Sequence, residues 1–323
     1  MLDVHIYHWL GFGALVAVLL ALDLLVFHRH DHAPSLREAA CWSVFWIGLG
    51  LAFNVVVWQW GNRQGAPQAG INFFTAFLIE KSLSMDNIFV FVVIFRFFGV
   101  PAMYQYRVLF WGVLGAVFLR LAFILAGVEI IHRFDWVSPA LGAFLVYTGY
   151  KLARQGGAEV HPGENVVLRA ARRFFRVAQG DHRQHGHKFF THEDAHWCIT
   201  PMFLTLLVIE STDVAFAVDS VPAVIAVTTD RFIAFSSNVF AILGLRALYF
   251  LLAGAVDRFR YLHYGLAGVL GFVGAKMIAE WQFPHRDGAP FCPAWVSLAA
   301  IVAILGISIA ASLVVPGRGR NEP

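Results

Sequence analysis

Apolar stretches long enough to cross a lipid bilayer recur along this chain, and they constrain its fold more than any other feature. A helix needs about 20 predominantly apolar residues to span a hydrocarbon core ~30 Å thick. Only 14% of the 323 residues are charged, whereas a soluble domain has about 25%. The sequence therefore predicts an all-α polytopic membrane protein with about nine transmembrane helices. The nine stretches lie near residues 9–27, 41–58, 72–98, 108–127, 137–152, 201–226, 233–254, 262–280 and 295–315.

The distribution of Lys and Arg between the stretches predicts the orientation in the membrane. With the N-terminus outside, the inner segments hold sixteen Lys and Arg and the outer segments hold four. Cytoplasmic loops carry the excess of positive charge, so this pattern predicts an outer N-terminus and a cytosolic C-terminus. No basic residue precedes the first stretch and no small-residue cleavage site follows it. We therefore expect a transmembrane helix there and not a cleaved signal.

Two of the apolar stretches contain carboxylates at positions that fall at bilayer depth. Glu80 and Asp86 lie in the third stretch, and Glu210, Asp213 and Asp219 lie in the sixth. Each carboxylate at this depth costs at least ~2.5–3.5 kcal/mol, so a segment that keeps several needs a reason to do so. An ion or proton pathway is the usual reason, and we expect one here.

The chain also contains an internal repeat. A shift of 133 residues places Glu80 on Asp213, a shift of 126 places Arg120 on Arg246, and a shift of 125 matches the ends of the fifth and eighth stretches. The third to fifth stretches thus match the sixth to eighth. Each unit crosses the membrane three times, so the second unit is inverted relative to the first. Two inverted three-helix repeats are typical of secondary transporters; chance similarity among apolar helices is the alternative.

The domain organisation follows from this repeat. Two N-terminal helices occupy residues 1–70, the repeats occupy 71–152 and 201–281, and the last helix and cytosolic tail occupy 282–323. Residues 153–200 form a basic, His-rich linker that we expect in the cytosol. Such tracts can bind transition metals, and a solvated loop is the alternative. The candidate peripheral ligands are His182, His185, His187, His192 and His196.

The end of the linker predicts a small β-hairpin. Residues 188–191 and 197–200 are short runs rich in aromatic and β-branched side chains, and they flank a polar turn. Two such runs around a turn are the usual sequence pattern of a hairpin.

Helical geometry restricts how the intramembrane carboxylates could share one ion. At 100° per residue, Glu80 and Asp86 point about 120° apart, and Asp213 and Asp219 have the same relation. A regular helix cannot direct both acids of such a pair at one small ion, so we expect each acidic helix to unwind or tilt. Pro222 removes one backbone hydrogen bond and favours a break in the sixth stretch.

The oxygen-bearing side chains of these two stretches predict a metal site where the two helices cross. Oxygen-only ligands favour Mn²⁺, Mg²⁺ or Ca²⁺ over Zn²⁺ or Cu⁺. Carboxylates can also exchange a cation for protons, which is the chemistry of an antiporter. The predicted ligands are Glu80, Asp86, Asn87, Glu210, Asp213, Asp219 and Ser220. Buried ion pairs that hold the helices together are the structural alternative.

Basic and hydroxyl side chains beside these acids are expected to support the site. Isolated charges within the membrane are costly, so we expect each base to pair with an acid or to extend to an interface. The predicted supporting and charge-pairing residues are Lys81, Ser82, Thr212, Arg120, Arg246 and Lys276. Asp23 in the first stretch could pair with a base or join the pathway.

Other functional classes find little support in the sequence. The formal net charge of +3 is modest and implies no nucleic-acid partner. Cys41, Cys198 and Cys292 are widely spaced, so we expect no disulfide framework. We find no phosphate-binding loop, Ser-His-Asp set or redox motif. We therefore do not expect an enzyme or an organic cofactor.

Three motifs resemble those of the TerC family, in its Alx-like branch. They read EKSLSMDNIFVF at Glu80–Phe91, ESTDVAFAVDSVPA at Glu210–Ala223 and FSSNVFAILGLRALYF at Phe235–Phe250, and the resemblance covers about residues 70–315. Every acid of the two acidic family motifs is present. The resemblance implies a multi-pass protein of the bacterial cytoplasmic membrane that exports Mn²⁺, with links to alkaline pH, tellurite resistance and metallation of secreted enzymes. The His-rich linker departs from the family pattern and leaves an additional transition metal open.

Three functions from different classes follow from these features. A Mn²⁺ exporter, coupled to protons, is the function that the acidic motifs and the resemblance favour. A non-transporting accessory protein, which delivers metal or supports tellurite or alkaline-stress resistance, is the alternative. Homo-oligomer formation and stress or metallation partners are left open for both functions. A redox or membrane-stress modulator would depend on the three cysteines.

Overall fold

Long helices make up most of the chain in the computed structural model. The structure describes residues 2–27, 35–155, 162–178, 188–193, 196–253, 261–283 and 292–314. Eleven α-helices lie within these ranges: α1 (Ile6–Phe27), α2 (Leu36–Arg63), α3 (Ala69–Phe98), α4 (Ala102–Arg133), α5 (Val137–Gln155), α6 (Val166–Phe174), α7 (Pro201–Ile225), α8 (Arg231–Leu243), α9 (Leu245–Leu252), α10 (Leu262–Gln282) and α11 (Ala294–Val314). The prediction of a mostly helical chain is confirmed.

Local sequence signals account for the ends of several of these helices. The Thr200 side chain accepts a hydrogen bond from the Phe203 amide and Pro201 occupies the first turn of α7, which are both favourable at a helix start. The Asp230 carboxylate accepts from the amides of Phe232 and Ile233 at the start of α8. Gly99 ends α3 with a φ of 64°, a left-handed conformation that glycine adopts at little cost.

Six of the described helices are long and apolar enough to cross a membrane. These are α1, α2, α4, α7, α10 and α11, and the pair α8–α9 would make a seventh if it counts as one span. The nine predicted spans include α3 and α5 in addition. The count of nine therefore stays a prediction, as do the outer N-terminus and the cytosolic C-terminus.

Neighbouring helices run in the directions that an alternating passage through a membrane requires. Helix α3 runs parallel to α8 and α9, since Phe73 lies near Phe240 and Phe95 lies near Tyr249. Helices α2 and α3 are antiparallel, because Gly50 faces Phe77 near one end and the segments around Gly61 and Ala69 meet near the other.

Helices α5 and α10 touch through their backbones. A Cβ atom added to Gly142 would lie 2.7 Å from the Gly274 carbonyl oxygen, and one added to Gly149 would lie 2.7 Å from the Ala267 carbonyl oxygen. The two helices are therefore antiparallel. Adding 125, the shift of the predicted repeat, to residue numbers 142 and 149 gives 267 and 274. The repeat therefore relates the contact of Gly142 with Gly274 to the contact of Gly149 with Ala267. The small residues thus permit a close approach of the backbones.

The two acidic helices are continuous, which excludes the unwinding that we gave as one of two expectations; a tilt of each helix stays a prediction. Helix α3 is unbroken over 30 residues, and α7 continues past Pro222 to Ile225. Pro222 lies in the last turns of α7, where the loss of one hydrogen bond does not end the helix. The break occurs instead between α8 and α9 at Gly244, where the two helices are bent by 41°.

The polar linker between α5 and α7 contains a short 3₁₀ helix (Pro162–Glu164), α6 and a β-hairpin. Strands β1 (Phe190–Glu193) and β2 (His196–Ile199) pair antiparallel, with Phe190 opposite Ile199. The predicted hairpin is confirmed. Helix α6 buries Leu168 and Ala171 and packs against α7.

Candidate functional site

A buried arginine joins the two acidic helices at the centre of the bundle. Arg120 on α4 forms ion pairs with Glu80 on α3 and with Asp213 on α7; its Nη2 lies 3.5 Å from Asp213 Oδ1. Its Nη1 donates to Ser220 Oγ at 3.2 Å. Relative exposures are 0% for Glu80, 1% for Arg120 and 4% for Asp213. We call Glu80, Arg120, Asp213 and Ser220 the Arg120 cluster.

The helical repeat explains why two residues of α7 can face the same arginine. Asp213 and Ser220 are seven residues apart, which is 20° short of two full turns. Both side chains therefore lie on one face of α7, and the long side chain of Arg120 reaches both. Glu80 reaches the same guanidinium from α3. The predicted meeting of the two acidic helices is thus seen at these residues.

The Arg120 cluster leaves several buried polar atoms without hydrogen bonds. Glu80 Oε2, Asp213 Oδ2 and Arg120 Nε have no hydrogen-bond partner among the described residues. Buried polar atoms in folded proteins are nearly always paired, and each exception calls for an explanation. Two carboxylates that share one guanidinium retain unused lone pairs, which could accept a cation.

Glu210 lies one turn before Asp213, and its carboxylate packs directly against Gly115 of α4. A Cβ atom added to Gly115 would lie 2.2 Å from Glu210 Oε1 and 2.5 Å from Oε2. Only a residue without a side chain leaves room for the carboxylate in this position. This role of Gly115 is not visible in the sequence, since nothing there distinguishes it from other helical glycines.

Asp219 faces a different neighbour from Asp213, as the helical geometry predicts. Thr148 on α5 donates to Asp219 Oδ1 at 3.4 Å, so Asp219 lies on the side of α7 that meets α5. Asn87 is buried in α3, and the side chain of Asp86 lies outside the described atoms. Glu80, Asp213 and Ser220 are therefore the predicted ligands that the described side chains bring together.

The described residues contain no group of three His, Cys, Asp or Glu side chains that could hold a metal ion. The Arg120 cluster supplies two carboxylates and one hydroxyl, with an arginine between them. His192 stands opposite Trp197 in the hairpin and His196 opposite Glu193. His182, His185 and His187 lie outside the described residues.

Lys81 departs from our expectation that each buried base would pair with an acid or extend to an interface. Its Nζ donates to the Ala241 carbonyl oxygen at 3.0 Å and lies beside Gly244 at the break between α8 and α9. The last carbonyls of a helix lack intrahelical partners, and a positive charge is favourable there. Lys81 thus stabilises the C-terminal end of α8.

The other buried bases pair with carboxylates. Arg246 on α9 forms an ion pair with Asp23 on α1 and donates to the Asp23 carbonyl oxygen at 3.2 Å. The structure therefore favours pairing as the role of Asp23. Lys276 lies 3.6 Å from Glu280, one turn further along α10.

Ser82 and Thr212 do not direct their hydroxyl protons at the cluster. Ser82 donates to the Leu78 carbonyl oxygen and Thr212 to the Val208 carbonyl oxygen, each at 2.7 Å and four residues back in its own helix. Hydroxyl side chains commonly satisfy themselves in this way inside helices. Their predicted supporting role is thus limited to their own helix.

A cavity of about 250 Å³ opens at the end of the bundle that we predict to be outside. It lies between the N-terminal end of α3 and the C-terminal ends of α7 and α10. Asn72, Ile225, Thr228, Lys276 and Glu280 contribute to its lining. The sequence does not indicate this cavity, because its polar residues come from the ends of different helices.

The linker contacts α7 near the Arg120 cluster, on the side opposite to this cavity. Asn165, the first residue before α6, accepts from the amides of Val167 and Leu168 with Oδ1 and donates to Ser211 Oγ at 2.9 Å with Nδ2. Ser211 lies next to Glu210 on α7. The start of α6 is thus fixed against α7 two residues from Asp213.

The three cysteines are free and lie on separate elements. Cys41 is exposed on α2, Cys198 is buried in β2, and Cys292 precedes α11. This arrangement agrees with the expectation that they form no disulfide framework.

Comparison with known proteins relates the whole chain to one family. Residues 65–320 match the integral membrane protein TerC family. An uncharacterized membrane protein of Myxococcus xanthus is 49% identical over 315 residues, which cover 98% of this chain and 93% of that protein. The Escherichia coli K12 protein named "Putative membrane-bound redox modulator Alx" is 44% identical over 303 residues, covering 92% of this chain and 91% of that protein. No solved structure matches the chain. The chain belongs to the TerC family of integral membrane proteins.

Proposed function

We propose that this protein exports a divalent cation from the cytoplasm, with Mn²⁺ as the ion and protons as the counter-ion. The observation that carries the proposal is the Arg120 cluster. It places two buried carboxylates from different helices around one guanidinium, and each carboxylate keeps an oxygen without a hydrogen bond among the described residues. Charges at such depth are typical of ion pathways.

The chemistry of the cluster suits a hard cation. Glu80 and Asp213 supply carboxylate oxygens, Ser220 supplies a hydroxyl, and Glu210 lies one turn from Asp213. Oxygen ligands of this kind suit Mn²⁺, Mg²⁺ or Ca²⁺. The resemblance described above selects Mn²⁺ among them. Carboxylates can release the cation by taking up protons, which would couple export to proton entry.

The cavity at the predicted outer end of the bundle supports a route through the cluster. Ile225 lines the outer cavity and follows Ser220 by five residues, which is about 7.5 Å along α7. On the predicted inner side, Asn165 is hydrogen-bonded to Ser211, next to Glu210. An ion that leaves the cluster would thus need only a short path to the outer cavity.

The packing of α5 on α10 supports the predicted inverted repeats. Their two backbone contacts are exchanged by the shift of 125 residues, as a two-fold relation between inverted units requires. The helix directions agree with nine alternating spans, in which α3, α5 and the bent pair α8–α9 each cross the membrane once. Inverted repeats that place a site at their interface are typical of secondary transporters.

Cellular manganese content tests the proposal. Expression in a bacterial strain without its own manganese exporter should lower cell manganese and restore growth in high Mn²⁺. Glu80→Gln should abolish this effect while leaving the level of the protein in the membrane normal, because it removes a carboxylate charge from the Arg120 cluster.

A variant with Cys41, Cys198 and Cys292 all changed to Ser distinguishes transport from a redox function. We expect it to lower cell manganese as the wild type does. Unchanged manganese in cells that express the wild type would contradict export, and loss of activity in the cysteine-free variant would favour redox modulation.

A further inference from the structure

We propose that Arg120 is a tethered competitor for the transported ion: its guanidinium occupies the cation position between Glu80 and Asp213, and a divalent cation must displace it to bind. This inference rests on the proposed function, since it assumes that the ion binds these same carboxylates. It assigns to Arg120 a role in release and selectivity, beyond the pairing of charges.

Formal charge supports competition and argues against simultaneous binding. Glu80 and Asp213 together carry two negative charges, and Arg120 supplies one positive charge. A divalent cation in place of the guanidinium would neutralise both carboxylates. The ion and the guanidinium at the same carboxylates would instead bring like charges within a few ångströms in a buried site, where water screens them little.

The incomplete hydrogen bonding of the cluster also fits a replaceable occupant. A buried salt bridge that serves stability alone is favourable only when its remaining lone pairs and protons are satisfied. Here Glu80 Oε2, Asp213 Oδ2 and Arg120 Nε have no hydrogen-bond partner among the described side chains and backbone. Arg246, another buried arginine of the described helices, forms an ion pair with the Asp23 carboxylate and donates to the carbonyl of the same residue.

Ser220 gives the displaced guanidinium a position to occupy. Its Oγ accepts from Arg120 Nη1 at 3.2 Å, and it lies two turns beyond Asp213 towards the outer cavity. An ion that reaches Asp213 from the Glu210 side can therefore displace the guanidinium towards Ser220. Arginine is always protonated in proteins, so it leaves the carboxylates by movement and returns as the ion departs. Its return helps to expel the ion.

Equilibrium binding of Mn²⁺ to the purified full-length protein in lipid nanodiscs tests this role. The electron paramagnetic resonance signal of free Mn²⁺ measures binding directly, and Mn²⁺ uptake into proteoliposomes measures turnover. If the guanidinium occupies the carboxylates about 90% of the time, Arg120→Met should lower the apparent Kd about ten-fold. Turnover should fall at the same time, because the ion is no longer expelled.

Two further variants keep the test decisive. Arg120→Gln is also neutral but retains hydrogen-bond donors, and it replaces Arg120→Met if the latter does not fold. Arg231→Met removes a positive charge from an exposed ion pair with Glu129 and should bind Mn²⁺ with the wild-type Kd.

The outcomes separate this inference from the proposed function. Tighter binding with slower turnover in the neutral Arg120 variants supports the tethered competitor. If the wild type binds and transports Mn²⁺ but the folded neutral variants bind it equally or more weakly, Arg120 is structural and the inference is wrong. If neither the wild type nor any variant binds or transports Mn²⁺, the proposed function itself fails.

Discussion

Each buried base in the described helices contacts a carboxylate oxygen or a backbone carbonyl oxygen. Arg120 lies between two carboxylates, Arg246 pairs with Asp23, and Lys81 donates to the Ala241 carbonyl. An unpaired charge at this depth would cost several kcal/mol, so these pairings explain how the chain tolerates its intramembrane charges. Lys81 further shows that a broken helix can supply the partner, because the end of α8 leaves a carbonyl available.

Gly115 allows a direct test of the position of Glu210. In a helix, Gly→Ala is favourable by about 0.8–1.0 kcal/mol when the new methyl group has space. In Gly115→Ala the methyl group would lie 2.2 Å from Glu210 Oε1, and the flexible carboxylate would have to move away. We expect unchanged or higher thermal stability with transport reduced about ten-fold or more, because small displacements in a binding site have large effects.

Gly48→Ala is the matched control, since Gly48 lies in α2 with no atom within 4 Å of the added Cβ. It should gain stability and keep wild-type transport. Equal transport by the two variants would show that the contact between Glu210 and Gly115 does not matter for function.

At the scale of elements, close packing of α5 on α10 holds the two halves of the chain together, while the break at Gly244 divides one predicted span into α8 and α9. The four glycines of α10 serve different neighbours. Gly265 and Gly268 face Ser308 and Ile304 of α11, Gly274 faces α5, and an added Cβ on Gly271 would meet no atom within 4 Å. These glycines recur every third residue, and they lie at two helix interfaces and one open position.

Gly274→Ala should destabilise the protein. Its Cβ would lie 2.4 Å from the Gly142 carbonyl oxygen, and backbone atoms cannot move aside without separating α5 from α10. Overpacking of this kind costs about 1–3 kcal/mol. Gly271→Ala, one turn away in the same helix, should instead be neutral or slightly stabilising. Thermal unfolding in detergent compares them, and equal melting temperatures would refute the backbone contact.

The sequence predicted the positions of the helices better than the contacts between them. Apolar length and charge indicated the membrane class, most helix positions and the burial of Glu80 and Asp213, because these depend on local composition. The break at Gly244 was missed, since this residue lies in an apolar run and its environment comes from Lys81 on another helix. The contacts of Arg120 with both acidic helices also depend on the distances between three helices. The spacing of residues along the chain does not reveal these distances.

For the whole molecule, the two ends of the bundle carry different features on either side of the Arg120 cluster. The outer cavity of about 250 Å³ reaches Ile225 on α7, whereas Asn165 is hydrogen-bonded to the same helix on the predicted inner side. The proposed transport would require the site to open to one side of the membrane at a time. The cluster between them is the point that every exported ion would pass.

Mn²⁺ uptake into proteoliposomes that contain the purified protein, measured with and without a pH gradient, tests the central claim most directly. We expect the wild type to move Mn²⁺ faster when a proton gradient drives exchange. Asp213→Asn should reduce uptake to the level of protein-free liposomes, because it removes a carboxylate charge from the Arg120 cluster. Uptake by folded Asp213→Asn at the wild-type rate, or wild-type uptake no faster than in protein-free liposomes, would contradict the account.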